Sequence, residues 1–516
     1  MTMEYKFNEP RFYTVQNNNK HIVVVGGGSA GWITALLTQA YHPNSTITLI
    51  ESPTIPIIGA GEGTTPNFIG FLDIVKIPFS KLVKECDATV KTGIVFSNWN
   101  NDGESYFHSF DTADSYKDIS PSFDSKIGIP YNKTGFCWYL SNINKVPFTH
   151  SFNYMGYDQD PILSMDCHYN WAAHFNAHKL AQCLSNVGQD RGIRLIRDDV
   201  VDIKNNKDGT ISELILNSNT SIEPDFVFDC TGFKRKIIGE HYGTEWESYE
   251  DTLPLKKAIP FFIDIKDGEE IPPYTEAVSM KFGWMWKIPT QKRYGCGYVF
   301  DPTYITPEEA KEELRQYFNN PNIEFPRVID FNPGSFRKTI VNNCMAVGLS
   351  QSFVEPLEAT SIFVSLLNLH DFLSHGIFEK NNLLANKLNN LFQRRNKDVQ
   401  LFLNFHYGAT NRQDTEFWKR FEKNHYIEEA KSNVEYLDQF ISNKGPIDYL
   451  ISNYDNVVTN ELWGFNSWTQ VFCGLKRNNN EDINHILLEK INHNYNNYST
   501  NFIHHNDFLS YLKNEK

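Results

Sequence analysis

The chain has 516 residues, and 48 Lys and Arg against 62 Asp and Glu give a net charge of −14, with a pI near 5.6. Such an acidic surface repels phosphate backbones, which argues against a nucleic-acid partner. No apolar run approaches the roughly 18 residues of a spanning helix, and the polar start MTMEYKFNEPRFYTV lacks a secretion pattern, so the expectation is a cytoplasmic protein with no membrane partner.

Residues 1–20 read as a polar arm. From His21 the sequence becomes IVVVGGGSAGWITALLTQAY, an apolar run that feeds a glycine turn and then apolar residues at helical spacing. A second short run, Thr46–Ile50, ends on Glu51, so the segment reads β-α-β and predicts a parallel, doubly wound sheet. The middle of the chain alternates short strands and turns: PDFVFDCTGF (224–233), AIPFFIDI (258–265) and GYVFD (297–301). Helical periodicity begins near Ala359 and continues through ANKLNNLFQRRNKDVQLFLNFHY. The Asn-rich last forty residues keep spaced apolar positions (Ile483, Ile486, Leu487, Ile491) and read as a surface helix. Eight scattered cysteines without a CxxC pair argue against zinc and disulfides. His174 and His178 have the i, i+4 spacing of metal ligands but no companion ligand, so no metal site is expected.

Gly26-x-Gly28-x-x-Gly31 follows a strand and opens a helix. The first glycine permits the tight turn, the second lets a pyrophosphate approach, and the third lets helix pack on strand. Phosphates would rest on the helix N-terminus, beside Ser29 and Ala30. Glu51 stands where a carboxylate accepts hydrogen bonds from ribose hydroxyls. Gly232 in DCTGF and Gly348 in GLSQSFVEPLEATS are small-residue turns of the type that a large cofactor gathers from distant chain segments, which favours FAD over a nicotinamide. No second GxGxxG is present, so reduced flavin would come from another protein.

The chain resembles the flavin-dependent tryptophan halogenases over most of its length. The motif most particular to that family, Trp-x-Trp-x-Ile-Pro, stands here as Trp284-Met-Trp286-Lys-Ile288-Pro289. GAGEGTTP (59–66), ECDATVKTGIVFSNW (85–99), FHSF (107–110), NWAAHFNAHKLA (170–181), DCTGF (229–233) and SFVEPLEATS (352–361) match in the family's order. The resemblance implies a Rossmann-type FAD-binding lobe of the flavoprotein monooxygenase kind, to which Gly61 and Glu62 would also contribute. This α/β lobe (21–110 and 165–375) would interlace with a mostly helical substrate lobe (111–164 and 376–516).

It also implies a two-component enzyme, fed by a separate flavin reductase. Reduced FAD and dioxygen convert a halide into hypohalous acid, while Trp284, Trp286, Ile288 and Pro289 wall the flavin from an internal tunnel. By the same resemblance Lys91 receives the oxidant, Glu358 takes the ring proton, and the backbone N–H groups of Thr360 and Ser361 hold the halide. On its own chemistry Lys91 sits in a strand-like run whose faces are both weakly polar. An inward lysine there suits the role; an edge lysine in water is the plainer alternative. Glu355 is a second carboxylate beside Pro356, less favoured than Glu358.

Ala359 replaces the family's serine and Ser361 its glycine, so a chloride preference does not carry over, and bromide or iodide, both more easily oxidised, stand as candidates beside chloride. His108, Phe110 and Trp463 match the family's ring-contacting residues, although core packing would also explain Phe110 and Trp463. The stretch 451–463 lacks the pattern that holds a free amino acid, which points to a simpler indole or another electron-rich ring. A homodimer is compatible with the sequence. Two rival readings stand beside the halogenase: a single-component flavin monooxygenase that hydroxylates an aromatic, and a catalytically degenerate FAD-binding protein.

Overall fold

The computed structural model describes residues 19–55, 59, 62–110, 135–149, 170–422, 432, 435, 462–475 and 485–514. The chain forms two compact units: Met1–Asp87, Phe175–Glu250 and Asn332–Lys397 in the first, and Ala88–His174, Asp251–Phe331 and Asp398–Lys516 in the second. Residues 1–18 of the expected arm, and Gly61 in the expected cofactor loop, lie outside the described residues.

The first unit is built on a six-stranded sheet. Its order is Ile340–Val341, Cys344–Ala346, Phe226–Asp229, His21–Val25, Thr46–Glu51, Arg194–Arg197. All neighbours are parallel except the edge strand Ile340–Val341. Ile22, Val23, Val24, Val227, Phe228 and Leu49 expose no surface, as expected of strands covered on both faces. Full burial of each such side chain contributes about 1.5–3 kcal/mol. Helix Ser29–Tyr41 follows the first strand, and Trp32 packs where a Cβ on Gly188 would come within 2.6 Å of its ring. That contact seats helix Ala177–Asp190, whose N-terminus is capped by the Asn176 side chain accepting from the His178 and Lys179 N–H groups.

The second unit is organised by a seven-stranded sheet, in the order Ile329–Asp330, Lys257–Asp264, Arg293–Phe300, Gly283–Pro289, Thr275–Met280, Gly93–Ser97, Ser105–Ser109. Its strands run antiparallel apart from Thr275–Met280 beside Gly93–Ser97. Helix Pro307–Tyr317 packs on it through Ala310 and Leu314 against Phe261, Met285 and Tyr298. Thr306 and Glu309 close a capping box at that helix's start.

Three expectations change here. Residues 88–110 and 251–331 pack with the second unit, because strand pairing joins Gly93–Ser97 to Thr275–Met280. Among the described residues that unit is organised by the seven-stranded sheet and is not mostly helical. The last forty residues are also more than a surface helix: Tyr495 on helix His485–Ser499 is buried, strand Phe502–His504 pairs with Lys145–Thr149, and helix His505–Asn514 buries His505, Phe508, Leu509 and Leu512.

Candidate active site

Three loops of the first unit converge at the end of the strand His21–Val25. Gly26 has φ +124, and a Cβ there would lie 2.1 Å from the Cys230 carbonyl oxygen. At Gly31 a Cβ would lie 1.8 Å from the Gly26 oxygen. These two glycines are therefore demanded by packing. Gly28 differs: its φ is −75 and a Cβ would meet nothing within 4 Å. The turn leaves open space at the position expected to face a pyrophosphate, and Gly28 N-caps the helix without a side-chain hydrogen bond, leaving its first N–H groups to an anion.

Gly348 (φ +67) approaches the turn, its Cβ position 2.8 Å from the Ala30 methyl. Ser350 Oγ donates to the Gly232 carbonyl at 3.3 Å, which ties this loop to DCTGF. Asp229, which sequence reasoning missed, organises DCTGF: its carboxylate accepts from the N–H groups of Thr231, Ile237 and Ile238 and from the Thr231 hydroxyl. Glu51 ends its strand against Gly27, 3.5 Å from Arg197 Nε. Glu62 keeps part of its surface open, yet the protein around its carboxyl removes enough water to push it up to about 7.

Gln351 was also missed. Its side chain is 1% exposed and neither Nε2 nor Oε1 has a hydrogen-bond partner. A buried amide left so costs about 1–3 kcal/mol per unsatisfied group. With the open Gly28 position, it makes these loops fit a large polar cofactor such as FAD.

Beyond Gln351 the same unit carries the expected glutamate. Glu358 (φ 66) and Ala359 (φ 54) are consecutive left-handed residues before helix Thr360–His375. Two such non-glycine residues cost about 1–2 kcal/mol each, and strain of this kind is stored at functional sites. Glu355, Glu358 and Thr360 are buried and Ser361 is exposed. Ala359 provides no side-chain cap, so the helix's first N–H groups are uncapped by it.

Lys91 lies in the second unit and exposes no surface. Its strand, Thr89–Lys91, pairs antiparallel with Ala172–Phe175, placing Lys91 opposite Ala172 and Thr89 opposite His174. Nζ stands 5.2 Å from the centroid of the Phe110 ring, within cation–π range. Two buried histidines flank the strand. His174 Nδ1 meets Thr89 Oγ1 at 3.0 Å and its Nε2 meets Thr275 Oγ1 at 2.9 Å. His505 Nε2 accepts from the Val90 N–H, and its Nδ1 donates to the Ile271 carbonyl. Burial holds both rings uncharged: His505 falls to about 4, and His174 falls well below its ordinary value, helped by the Lys91 charge.

His108 lies on the strand Ser105–Ser109, and Phe110 directly follows it. His108 is buried, its ring 5.8 Å from Phe402. Trp463 stacks on Phe402 at 4.5 Å and 20°. His108 and Trp463 therefore both contact Phe402, an aromatic hidden from sequence reasoning in a helical apolar run. On the tryptophan strand Trp284 is buried and Trp286 half-buried, their centroids 6.3 Å apart. Gly297 leaves the slot that Trp286 fills, since a Cβ there would lie 2.0 Å from the indole.

A doubly wound sheet with a glycine turn of the dinucleotide-binding kind, and a buried lysine against the Phe110 ring, are the marks of a flavin-dependent oxidoreductase. The chain belongs to the tryptophan halogenase family, whose model, described as tryptophan halogenase, matches residues 21–486. It is 31% identical over 428 residues to tryptophan 6-halogenase SttH of Streptomyces toxytricini, covering 78% of this chain and 80% of that one. With tryptophan 7-halogenase RebH of Lentzea aerocolonigenes it shares 29% identity, over 77% and 78% of the two chains. The crystal structure of SttH superposes with a TM-score of 0.81 at 26% identity, over 96% of this chain and 99% of that one. Among the described residues no helix is long and apolar enough to cross a membrane.

Proposed function

We propose that this protein halogenates an electron-rich, indole-like ring, with Lys91 holding the oxidised halogen and Glu358 accepting the ring proton. The observation that carries the reading is the placement of Lys91, fully buried with its ammonium against Phe110. FAD, reduced by a separate reductase, supplies together with dioxygen the two-electron oxidation of halide when bound. Gly26, Gly28, Ser29, Ala30 and Gly31, with Glu51, Glu62, Gly232, Gly348 and Gln351, would hold it.

Hypohalous acid at Lys91 hydrogen-bonds to the ammonium, which donates toward the oxygen and polarises the oxygen–halogen bond. The ring carbon takes the halogen as that bond breaks, and the departing hydroxide takes a proton from the Lys91 ammonium and leaves as water. Glu358, in a left-handed, strained turn, is the base for the proton that leaves the ring carbon. His108, Phe110, Phe402 and Trp463 offer aromatic surface to a flat ring. Trp284, Trp286, Ile288 and Pro289 form the wall that confines the oxidant. Thr360 and Ser361 N–H groups receive the halide; the Ser361 side chain and the missing hydroxyl at Ala359 favour bromide or iodide over chloride. The cysteines at 86, 137, 183, 230, 296, 344 and 473 are free, which suits a reducing cytoplasm.

The test supplies purified protein with FAD, a generic flavin reductase, NADH and air. Chloride, bromide and iodide are offered separately with indoles and phenols, and products are read by mass spectrometry. Halogenated product that needs halide and is richer with bromide or iodide is expected. Oxygenated product independent of halide rejects the halogenase reading, and equal turnover with chloride rejects the halide preference.

A further inference from the structure

The buried hydrogen bonds around the Lys91 strand assign a role to a residue that belongs to neither the glycine turn nor the tryptophan motif. In the antiparallel pair, Thr89 faces His174 and Lys91 faces Ala172, so these four side chains share one face and His174 is the diagonal neighbour of Lys91. Ala172 contributes only a methyl opposite the lysine, which leaves the imidazole as the larger group bounding that face of the strand pair.

The partners of His174 fix its tautomer. Thr89 Oγ1 donates to the Pro289 carbonyl at 2.8 Å, so toward the ring it can only accept, and Nδ1 carries the proton. Nε2 is then the acceptor for the Thr275 hydroxyl. One continuous chain of bonds thus runs from Thr275 through His174 and Thr89 to Pro289, the last residue of the Trp-x-Trp-x-Ile-Pro motif. It joins the lysine strand, its partner and two strands of the large sheet.

We propose that His174 is a positioning residue for Lys91, a neutral clamp that locks the lysine strand to the tryptophan strand and so fixes Nζ against the Phe110 ring. A carboxylate in its place would pair with the Lys91 ammonium and draw it from the ring. A second cation would repel it. Neutral imidazole, with one donor and one acceptor, does neither. The electrostatics agree: burial comes first and the nearby charge of Lys91 second in keeping His174 unprotonated, with His505 the other titratable group acting on it. The inference rests on Lys91 as the residue that holds the oxidised halogen.

The experiment uses the full chain with FAD, reductase, NADH, air, bromide and indole. It compares wild type with His174→Leu, His174→Asn, Thr275→Val and Lys91→Ala. Halogenated product per reduced flavin consumed, KM for indole and the melting temperature are read together. His174→Leu removes both ring bonds, and His174→Asn keeps an N–H for Thr89. Thr275→Val removes only the hydroxyl that holds Nε2.

Expected is at least a ten-fold fall in product per flavin for His174→Leu, with flavin consumption and KM unchanged, recovery of most of that fall in His174→Asn, and about a three-fold fall in Thr275→Val. Coupling kept within two-fold by His174→Leu overturns the proposal. So does an equal loss in the Leu and Asn variants that tracks their loss of melting temperature. If His174→Leu does not fold, unchanged coupling in Thr275→Val overturns it instead. Undiminished product from Lys91→Ala defeats the underlying reading of the lysine, separately from the role of His174.

Discussion

Lys91 Nζ and the Phe110 ring stand 5.2 Å apart on a lysine with no exposed surface. Burying an ammonium costs several kcal/mol before compensation, which folding alone gives no reason to keep. Replacing Lys91 with Met retains the length and volume of the stem while deleting the charge. The variant should still fold, as its melting transition reads. Flavin reoxidation should continue while halogenated product falls at least about 100-fold. Product within ten-fold of wild type, measured by mass spectrometry against flavin consumed, would remove Lys91 from the chemistry.

The glycine turn separates packing from ligand binding. Gly31→Ala drives a methyl to 1.8 Å from the Gly26 oxygen, so it should lower the melting temperature and FAD affinity together. Gly28→Ala places its methyl in empty space at an ordinary φ. Its melting temperature without flavin should match wild type, while FAD titration by fluorescence shows at least a ten-fold weaker Kd. Unaltered affinity in Gly28→Ala would mean that no phosphate approaches this turn.

Gln351 offers the opposite sign. Its unpartnered amide burdens the flavin-free protein, so Gln351→Leu should stabilise that form by about 1–3 kcal/mol. If the amide is kept for FAD, the same substitution weakens flavin binding. Urea midpoints without flavin and Kd with it read the two effects independently. A Leu variant that binds FAD as tightly as wild type assigns Gln351 no part in the cofactor site.

What the sequence made legible follows from the range of the forces involved. The glycine turn, the strand before it and the helix after it are local, and Gly26, Gly31 and the helix from Ser29 stand where their spacing put them. The parallel order around His21–Val25 followed from β-α-β alternation. The unit boundaries did not, because they depend on a long-range choice: whether Gly93–Ser97 pairs with Thr275–Met280, whose register partners such as Ile94 and Thr275 lie 181 residues apart, is invisible in either segment alone. Phe402 and Gln351 looked like ordinary helix and loop residues. His505 gave no signal either, since its bond to the Val90 N–H spans 415 residues.

Two buried groups should leave opposite marks on stability against pH. His505 has its pKa lowered to about 4 from 6.5, so the unfolded chain binds the proton more tightly. The stability linked to it is complete above pH 6.5 and is lost as pH falls toward 4, about 3 kcal/mol at roughly 1.4 kcal/mol per pH unit. Glu62 is raised to about 7 from 4.5, so its contribution is complete below pH 4.5 and is lost as pH rises through 7. Its partly open surface reduces that share to about 2 kcal/mol. Across the common window the two oppose, and the wild-type profile alone hides both. Urea midpoints of the flavin-free protein should therefore be taken from pH 4 to 7.5 for wild type, His505→Gln and Glu62→Gln. Wild type minus His505→Gln should climb with pH, because protonating His505 removes the acceptor for the Val90 N–H and loosens the strand that carries Lys91. Wild type minus Glu62→Gln should descend over nearly the same range. A flat first curve would mean that His505 does not hold that strand, and a flat second one that Glu62 is solvated like a surface carboxylate.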